Sequence, residues 1–452
     1  MAARKKSGRR AKRPSSNAGK SGGARSKGVI ARDKKVISTS YTRGQPVVID
    51  RGSGARLWDV DGKGYLDFTA GIAVSNVGHA NPDVVRAVKA QADKILHNAG
   101  TDFYNELEVK LAEKLVKITP GREQRVFFTN SGTESVECAF KLARWKTGRS
   151  RFISFFNSFH GRTYASMTLS GSKTIHRNHF GPLVPGVVHV PYAYCYRCPF
   201  GHEDGKGCGM ECLSYIEDTL LKTTLPADEV AGVFFEPVQG EGGYVVPPKR
   251  FLTGLRKICR DNGFLMIADE IQTGFGRSGK WFASQHFGIK PDIMCLAKGI
   301  AGGMPLGACV AHKDIMQWPP GAHASTFSGN PVSCAASLAS ISYIERHKLM
   351  ENAARLGRMG LKYMKDVKED CRHVGDVRGL GLMIGVEMVK DKRSREPAPD
   401  RQKMAIMEAF RKGLLLLYGG KSTIRIAPPL VIGREEFQDG LETLAGVLKG
   451  MK

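Results

Sequence analysis

The sequence predicts an α/β protein in which a mostly parallel sheet lies between layers of helices. Short, almost continuously apolar runs alternate with segments of helical periodicity, and no internal repeat interrupts that rhythm. Near-continuous apolar runs are typical of strands that are covered on both faces, as in parallel sheets. The runs are Val126–Phe128, Phe152–Phe155, Val233–Phe235, Phe264–Ala268 and Ile293–Ala297.

The composition of the 452-residue chain is that of a globular protein, with 42% hydrophobic and 25% charged residues and a formal net charge of +25. No stretch approaches the roughly 18 apolar residues of a membrane-spanning helix. Ten cysteines in a chain of this length do not make a disulfide scaffold. We therefore expect a soluble, cytoplasmic protein without a membrane partner.

The N-terminal segment, residues 1–35, is rich in Lys, Arg, Ser and Gly and contains one acid, Asp33. Such a segment cannot bury enough apolar surface to offset the entropy of ordering, so it is predicted to be a disordered basic tail. It is either passive or a weak, non-specific binder of nucleic acid. Its composition also leaves organelle targeting open.

The remaining chain is predicted to form two domains. A hairpin signal at residues 56–62 has no evident strand partner nearby, and residues 36–90 are therefore assigned to a small domain. Residues 91–335 form the large domain. Residues 336–452 contain helices and short strands and complete the smaller α+β domain.

One helix start has the composition of an anion site. Residues 129–134 follow a strand and open an amphipathic helix, with Ser131 and Glu134 spaced as a capping box. Gly132 lets the backbone approach a ligand closely, and unpaired N–H groups at a helix start attract phosphate. Both interpretations, a capped helix and a phosphate site, remain open at this point.

Two apolar strands end in charged residues. Asp269 ends the strand at 264–268, where open α/β sheets bind ligands, although a helix cap or a structural ion pair would also use an acid there. Lys298 follows the strand at 293–297 and is either a Schiff-base nucleophile or a lysine that extends to solvent.

Several common motifs are excluded. Gly274–Gly279 satisfies G-x-G-x-x-G, but the preceding strand ends at Asp269 and no acid lies about 20 residues further on, as a dinucleotide site requires. The chain also lacks the P-loop, H-E-x-x-H and G-x-S-x-G patterns, which removes the simplest nucleotide-hydrolase, zinc-protease and serine-hydrolase interpretations.

Together, a phosphate-type helix start, a strand-end Asp, a strand-end Lys and the segment Phe159–Thr163 are the parts of a pyridoxal-phosphate site. The chain resembles the class III (ω-amino acid) aminotransferases of PLP fold type I from about Val47 onwards. This family includes the 4-aminobutyrate, ornithine and acetylornithine aminotransferases. The motifs that match in order are Ser131–Glu134, Phe159–Thr163, Glu236–Gly243, Asp269–Gly274, Lys298–Gly299, Thr326–Pro331 and Arg425–Leu430.

The resemblance implies roles for individual residues. Lys298 would bind pyridoxal 5′-phosphate covalently and carry the proton, and Asp269 would keep the ring nitrogen protonated. The partner subunit would supply Thr326, so the active unit would be a homodimer or a higher oligomer built from it. The other cofactor contacts implied are Ser131, Gly132, Thr133, Phe159, His160, Ile271 and Gln272.

The resemblance also implies how substrates bind. Arg425 would hold the α-carboxylate of 2-oxoglutarate, and Glu241 would pair with Arg425 when an ω-amino group enters instead. Arg162 would take the distal carboxylate of 4-aminobutyrate or glutamate. Ile72 and Glu236 complete the implied substrate-binding set. The implied reaction moves an amino group from an ω-amino acid, foremost 4-aminobutyrate, to 2-oxoglutarate; ornithine or acetylornithine transamination and amino-acid racemisation remain alternatives.

Four cysteines depart from the common family pattern. Cys195, Cys198, Cys208 and Cys212 have knuckle-like spacing for a structural Zn²⁺, although the second pair is C-x₃-C and the intervening loop is short. The other interpretation is an inserted loop with free thiols. The sequence does not decide between these two interpretations, and we assign no metal from it.

Overall fold

The computed structural model describes residues 23–451 and arranges fifteen strands of this range in three sheets. The strands are β1 (Ile49–Ser53), β2 (Arg56–Asp59), β3 (Gly64–Asp67), β4 (Gln124–Thr129), β5 (Arg151–Phe155), β6 (Val187–Val190), β7 (Val230–Phe235), β8 (Leu265–Asp269), β9 (Ile293–Leu296), β10 (Gly307–His312), β11 (Val374–Gly379), β12 (Ile384–Met388), β13 (Leu414–Leu415), β14 (Leu417–Gly419) and β15 (Thr423–Ile426).

Helices cover and connect these sheets. They are α1 (Ala24–Val36), α2 (Ala70–Ala73), α3 (Pro82–Ala92), α4 (Glu106–Ile118), α5 (Gly132–Thr147), α6 (Tyr164–Leu169), α7 (Glu211–Ser214), α8 (Leu221–Thr223), α9 (Lys249–Asn262), α10 (Ser284–Phe287), α11 (Pro331–Arg346), α12 (Leu349–Asp370), α13 (Pro399–Arg411) and α14 (Arg434–Lys449).

The large sheet has seven strands in the order β4-β10-β9-β8-β7-β5-β6. All of them run in one direction except β10, which is antiparallel to both neighbours. Every residue of β7 and β9 is buried, because helices cover both faces of the sheet. The predicted α/β class and mostly parallel sheet are therefore confirmed.

The two smaller sheets connect distant parts of the chain. The N-terminal hairpin β1-β2-β3 extends into a four-stranded sheet because β3 pairs in parallel with β13, with Leu66 opposite Leu414. The other sheet has the order β11-β12-β15-β14 and is antiparallel. The N-terminal segment thus shares a sheet with a C-terminal strand, while domain boundaries near residues 90 and 335 stay predictions.

The prediction of a disordered tail is wrong for the part of it that the structure describes. Residues 24–36 form α1, and the rest of the predicted tail, 1–22, lies outside the described residues. The carboxylate of Asp61 accepts hydrogen bonds from the backbone N–H groups of Arg25 (3.2 Å) and Ser26 (3.1 Å). An acid from the β2–β3 turn thus caps a helix whose own composition does not favour order.

Between residues 23 and 451, no helix is both long enough and apolar enough to cross a bilayer.

Candidate active site

The topology brings the predicted residues to one edge of the large sheet. Because the carboxyl ends of parallel strands meet at the same edge, the residues that follow β4, β5, β7, β8 and β9 converge there. They border one cavity of about 410 Å³. The predicted residues that line it are Ser131, Gly132, Thr133, Phe159, His160, Arg162, Glu236, Glu241, Asp269, Ile271, Gln272 and Lys298.

Asp269 is fixed by two hydrogen bonds at the end of β8. Its Oδ1 accepts the backbone N–H of Ile271 (3.0 Å), and its Oδ2 lies 2.7 Å from Nδ1 of His160. Burial of His160 disfavours its charged form, but the hydrogen bond and charge of Asp269 outweigh burial and hold the pKa of His160 above its usual value. Asp269 keeps free lone pairs for a donor inside the cavity.

Lys298 follows β9 in a strained backbone conformation, with φ of 49°. Burial lowers the pKa of its amine to about 8. The charges of Asp269 and Glu236 oppose that effect, and the positive charge of Arg425 adds to it. An amine that loses its proton near neutral pH is suited to nucleophilic attack on an aldehyde.

The helix start at α5 is both a cap and an anion cradle. Ser131 Oγ accepts the backbone N–H of Glu134 (3.4 Å), but the carboxylate of Glu134 accepts the N–H of Asn130 (2.8 Å), so the predicted capping box is formed in one direction only. A Cβ on Gly132 would lie 2.9 Å from the Ile271 side chain. Glycine therefore keeps the first turn of a 16-residue helix open towards the cavity.

Two features of the cavity fit the phosphate and ring of pyridoxal phosphate. The first turn of α5 lines the cavity. A phosphate at that position would be stabilised by the unpaired N–H groups and by the helix dipole. The side-chain oxygen of Gln272 is buried without a hydrogen-bond partner among the described residues, and so is Nε2 of His160. Since buried polar atoms in proteins are nearly always paired, these orphans indicate a polar ligand.

Phe159 and Ile271, two of the cofactor contacts implied by the resemblance, both border the cavity. The guanidinium of Arg162 lies 5.4 Å from the Phe159 ring centroid. His176 packs its ring edge-on against Phe159, with centroids 5.5 Å apart. Sequence reasoning missed His176, because a lone histidine outside the matched motifs carries no distinguishing signal.

Glu236 was predicted to bind substrate, but its carboxylate is used within the protein. One oxygen accepts the backbone N–H of Gly240 (2.9 Å) and the other that of Phe159 (3.1 Å). Burial raises the pKa of Glu236, which the two N–H groups and His160 counteract. Its geometry is that of a residue that positions Phe159 and the following loop.

Glu241 has a partner that the resemblance did not imply. Its carboxylate pairs with Lys173 Nζ at 2.5 Å rather than with Arg425. Arg425 is buried, stands over the Tyr244 ring at 5.7 Å, and its Nε has no hydrogen-bond partner among residues 23–451. In this arrangement the guanidinium of Arg425 is free to receive a substrate carboxylate.

Three predicted residues, Ile72, Thr326 and Arg425, are not among the residues that line the cavity of their own chain. Thr326 is exposed, and Ile72 is exposed in the short α2, whose residues 70–73 all have positive φ and so depart from right-handed helical geometry. A β-branched residue at φ of 67° is strained, and strain of this kind clusters at functional sites and interfaces.

A buried strand-end lysine, a strand-end carboxylate and a helix N-terminus around one cavity define the site of a pyridoxal-phosphate-dependent enzyme. The chain belongs to the family described as aminotransferase class-III, which matches residues 38–448. Pyridoxal phosphate is the cofactor of that family, and the residues at the cavity fit it. The predicted family, fold type and cofactor are thus confirmed.

The relatives of the chain have several activities. It is 40% identical to an acetylornithine aminotransferase of Methanothermobacter thermautotrophicus, over 94% of this chain and 99% of the relative. It is 40% identical to a leucine/methionine racemase of Thermococcus litoralis (88% and 90%). It is 37% identical to a probable 4-aminobutyrate aminotransferase of Bacillus subtilis (91% and 95%).

Among solved structures, an amine transaminase from an uncultivated Pseudomonas species in its PLP-bound form superposes with a TM-score of 0.85. The identity is 33%, and the match covers 91% of this chain and 97% of that one.

Proposed function

We propose that this aminotransferase moves an amino group from an ω-amino acid, foremost 4-aminobutyrate, to 2-oxoglutarate. The observation that carries the proposal is the arrangement of its cations. Arg425 is buried with an unpartnered Nε, Glu241 is held by Lys173, and Arg162 lies at the cavity without a carboxylate partner among the described residues. Two guanidinium groups suit a dicarboxylate acceptor, which brings one carboxylate to each.

When bound, pyridoxal phosphate supplies an aldehyde for amine linkage and an electron-withdrawing ring. The carboxylate of Asp269, buried and oriented by His160, would hold a proton on the ring nitrogen. The N–H groups of Gly132 and Thr133 would bind the phosphate, and the Gln272 amide would meet the phenolic oxygen. Lys298 Nζ would take the proton from the substrate carbon that bears the amino group and deliver it to C4′ of the cofactor.

Glu241 would adapt the site to two kinds of substrate. A donor such as 4-aminobutyrate carries its carboxylate at the far end and leaves Arg425 unmatched, so Glu241 would leave Lys173 and pair with Arg425. When 2-oxoglutarate enters, its α-carboxylate takes Arg425 and Glu241 returns to Lys173. Lys173 thereby offers the carboxylate a second ion pair and lowers the cost of releasing Arg425.

Half-reactions test the donor. Purified holoenzyme is mixed with 4-aminobutyrate, ornithine or acetylornithine without a keto acid, and the visible cofactor band is followed. We expect 4-aminobutyrate to bleach the band and 2-oxoglutarate to restore it with formation of glutamate. A band that responds to acetylornithine and not to 4-aminobutyrate would contradict the donor assignment while leaving the aminotransferase class intact.

Racemisation is the second candidate, because the leucine/methionine racemase is 40% identical to the chain. A racemase returns the proton to Cα and needs no keto acid. L-Leucine is therefore incubated with the enzyme in deuterium oxide without an acceptor. Formation of deuterated D-leucine at a rate comparable to transamination would favour racemisation; its absence supports the aminotransferase.

A homodimer would complete the site. Leu96, Phe103, Tyr104 and Phe327 are exposed apolar residues. The segments that carry them lie together, since the Asn330 side chain donates to the Leu96 carbonyl at 2.9 Å and the His97 and Phe327 rings are 5.1 Å apart. This apolar surface adjoins Thr326. We propose that a second copy covers it and that Thr326 reaches the phosphate of the partner.

Heterodimers test this exchange. Chains carrying Thr326→Asp and Lys298→Ala, each with its own affinity tag, are coexpressed and the heterodimer is isolated. Each homodimer is expected to be inactive. If Thr326 acts across the interface, one site of the heterodimer is intact and activity returns to about half of wild type.

The reciprocal arrangement is the control. A chain that carries both substitutions is paired with a wild-type chain. If Thr326 acts across the interface, both sites are damaged and this heterodimer is inactive. Half-activity here, with none in the first heterodimer, would show that Thr326 serves its own chain.

A further inference from the structure

The segment 195–212 gathers metal-binding side chains that transamination does not use. It contains the four cysteines noted above together with His202 and Glu211. All four cysteines line one small cavity of about 10 Å³, which has room for roughly a single atom the size of a water oxygen. All four are free thiols in the structure.

Three donor atoms of different chemistry already meet beside this cavity. The ligand atoms of His202, Cys208 and Glu211 lie within 4.8 Å of one another. His202 Nε2 is 3.0 Å from Glu211 Oε1, and the Cys208 thiol donates to Glu211 Oε2 at 3.2 Å. The geometry therefore adds a histidine to the donor set that the cysteine spacing suggests.

The backbone around Cys208 is shaped as in a metal knuckle. Met210 takes a left-handed conformation, with φ of 71°, and its N–H donates to Cys208 Sγ at 3.3 Å. An N–H group aimed at sulfur favours the thiolate, the form that binds metal. Glu211 in turn accepts the N–H of Gly209 (3.1 Å) and holds His202, which is the usual role of a carboxylate behind a histidine ligand.

We propose that this segment binds one Zn²⁺ ion through Cys195, Cys198, Cys208 and His202, with Glu211 orienting His202. Thiolate and imidazole ligands in a closed four-coordinate set are typical of structural zinc. The three cysteines border the same cavity, and His202 is joined to it through Glu211, which also lines it.

The position of the segment indicates what the ion would stabilise. Arg197 pairs with the buried Glu387 of β12, and Asp204 pairs with Arg395 at 3.0 Å. The segment thus joins the large sheet to β12 and to the loop that follows it, and none of its residues lines the cofactor cavity. We expect zinc to raise thermal stability, since an ion that binds only the folded state stabilises it, and to leave the cofactor site unchanged.

Metal content tests the proposal. Holoenzyme purified without chelators is analysed by elemental mass spectrometry, and about one zinc per chain is expected. Cys208→Ser and the double variant Cys195→Ser/Cys198→Ser are expected to lose the metal and to melt at least about 3 °C lower. Cys371→Ser, a buried cysteine outside the segment, is the matched control and is expected to retain zinc.

A second measurement covers variants that fail to fold. Wild-type enzyme is stripped with chelator and titrated with Co²⁺, whose visible spectrum reports tetrahedral geometry and thiolate ligation. A one-to-one titration with both features supports the site. Absence of zinc in the purified protein together with no Co²⁺ signal would overturn the proposal, and so would an intact mass lower by the hydrogens lost to disulfides.

Discussion

Replacing Lys298 with alanine should reduce kcat by about 10⁴-fold or more and abolish covalent attachment of the cofactor. Lys298 follows β9 and lines the cavity, and burial lowers the pKa of its amine to about 8. Alanine removes both the nucleophile and the proton carrier at once. The visible band of the holoenzyme and its trapping by borohydride on the peptide that contains residue 298 are the measurements.

Lys173→Ala is the matched control, because Lys173 also lies beside the cavity but pairs with Glu241. This variant should keep the covalent cofactor and change only the balance between donor and acceptor substrates. In wild type, the rate of cofactor attachment should rise about tenfold per pH unit up to about pH 8 and then level off, as the amine loses its proton. A borohydride-stable cofactor in Lys298→Ala would refute the assignment of the nucleophile.

The sequence allowed the fold and the centre of the site to be predicted because both depend on local patterns. Apolar runs that end in Asp269 and Lys298 specify strands and their ligand-binding ends at the same time. Once the strands are parallel, topology alone brings those ends together. The helix start at Gly132 follows the same logic, since its anion-binding character lies in a few consecutive residues.

Features that depend on side chains distant in sequence were not predictable in this way. Asp61 orders α1 from a turn 35 residues away, although the composition of α1 alone predicts disorder. Lys173 competes for Glu241, and His176 supports Phe159, through packing that no periodicity encodes. Ion pairs and ring contacts of this kind become visible only after the chain is folded.

Replacing Asp269 with asparagine should lower kcat by about 10²- to 10³-fold while the fold is retained. The amide oxygen can still accept the N–H of Ile271, so the local backbone keeps its hydrogen bond. It carries no charge, however, and cannot hold a proton on the ring nitrogen of the cofactor. The expected result is a bound cofactor with weakened electron withdrawal, measured as a loss in kcat and in the rate of proton exchange at the substrate.

Asp292→Asn separates this electronic effect from the structural cost of losing a carboxylate, because Asp292 is a half-buried, ion-paired acid. Asp292 precedes β9 at the opposite edge of the sheet, where it pairs with Arg256 and accepts the N–H of Met266. Its amide variant should lose stability and keep kcat. A cofactor analogue methylated on the ring nitrogen carries a permanent positive charge and should partly restore Asp269→Asn, because the carboxylate is then no longer needed to keep a proton there. If the analogue gives no recovery while the melting temperature is unchanged, Asp269 acts through geometry and not through its charge.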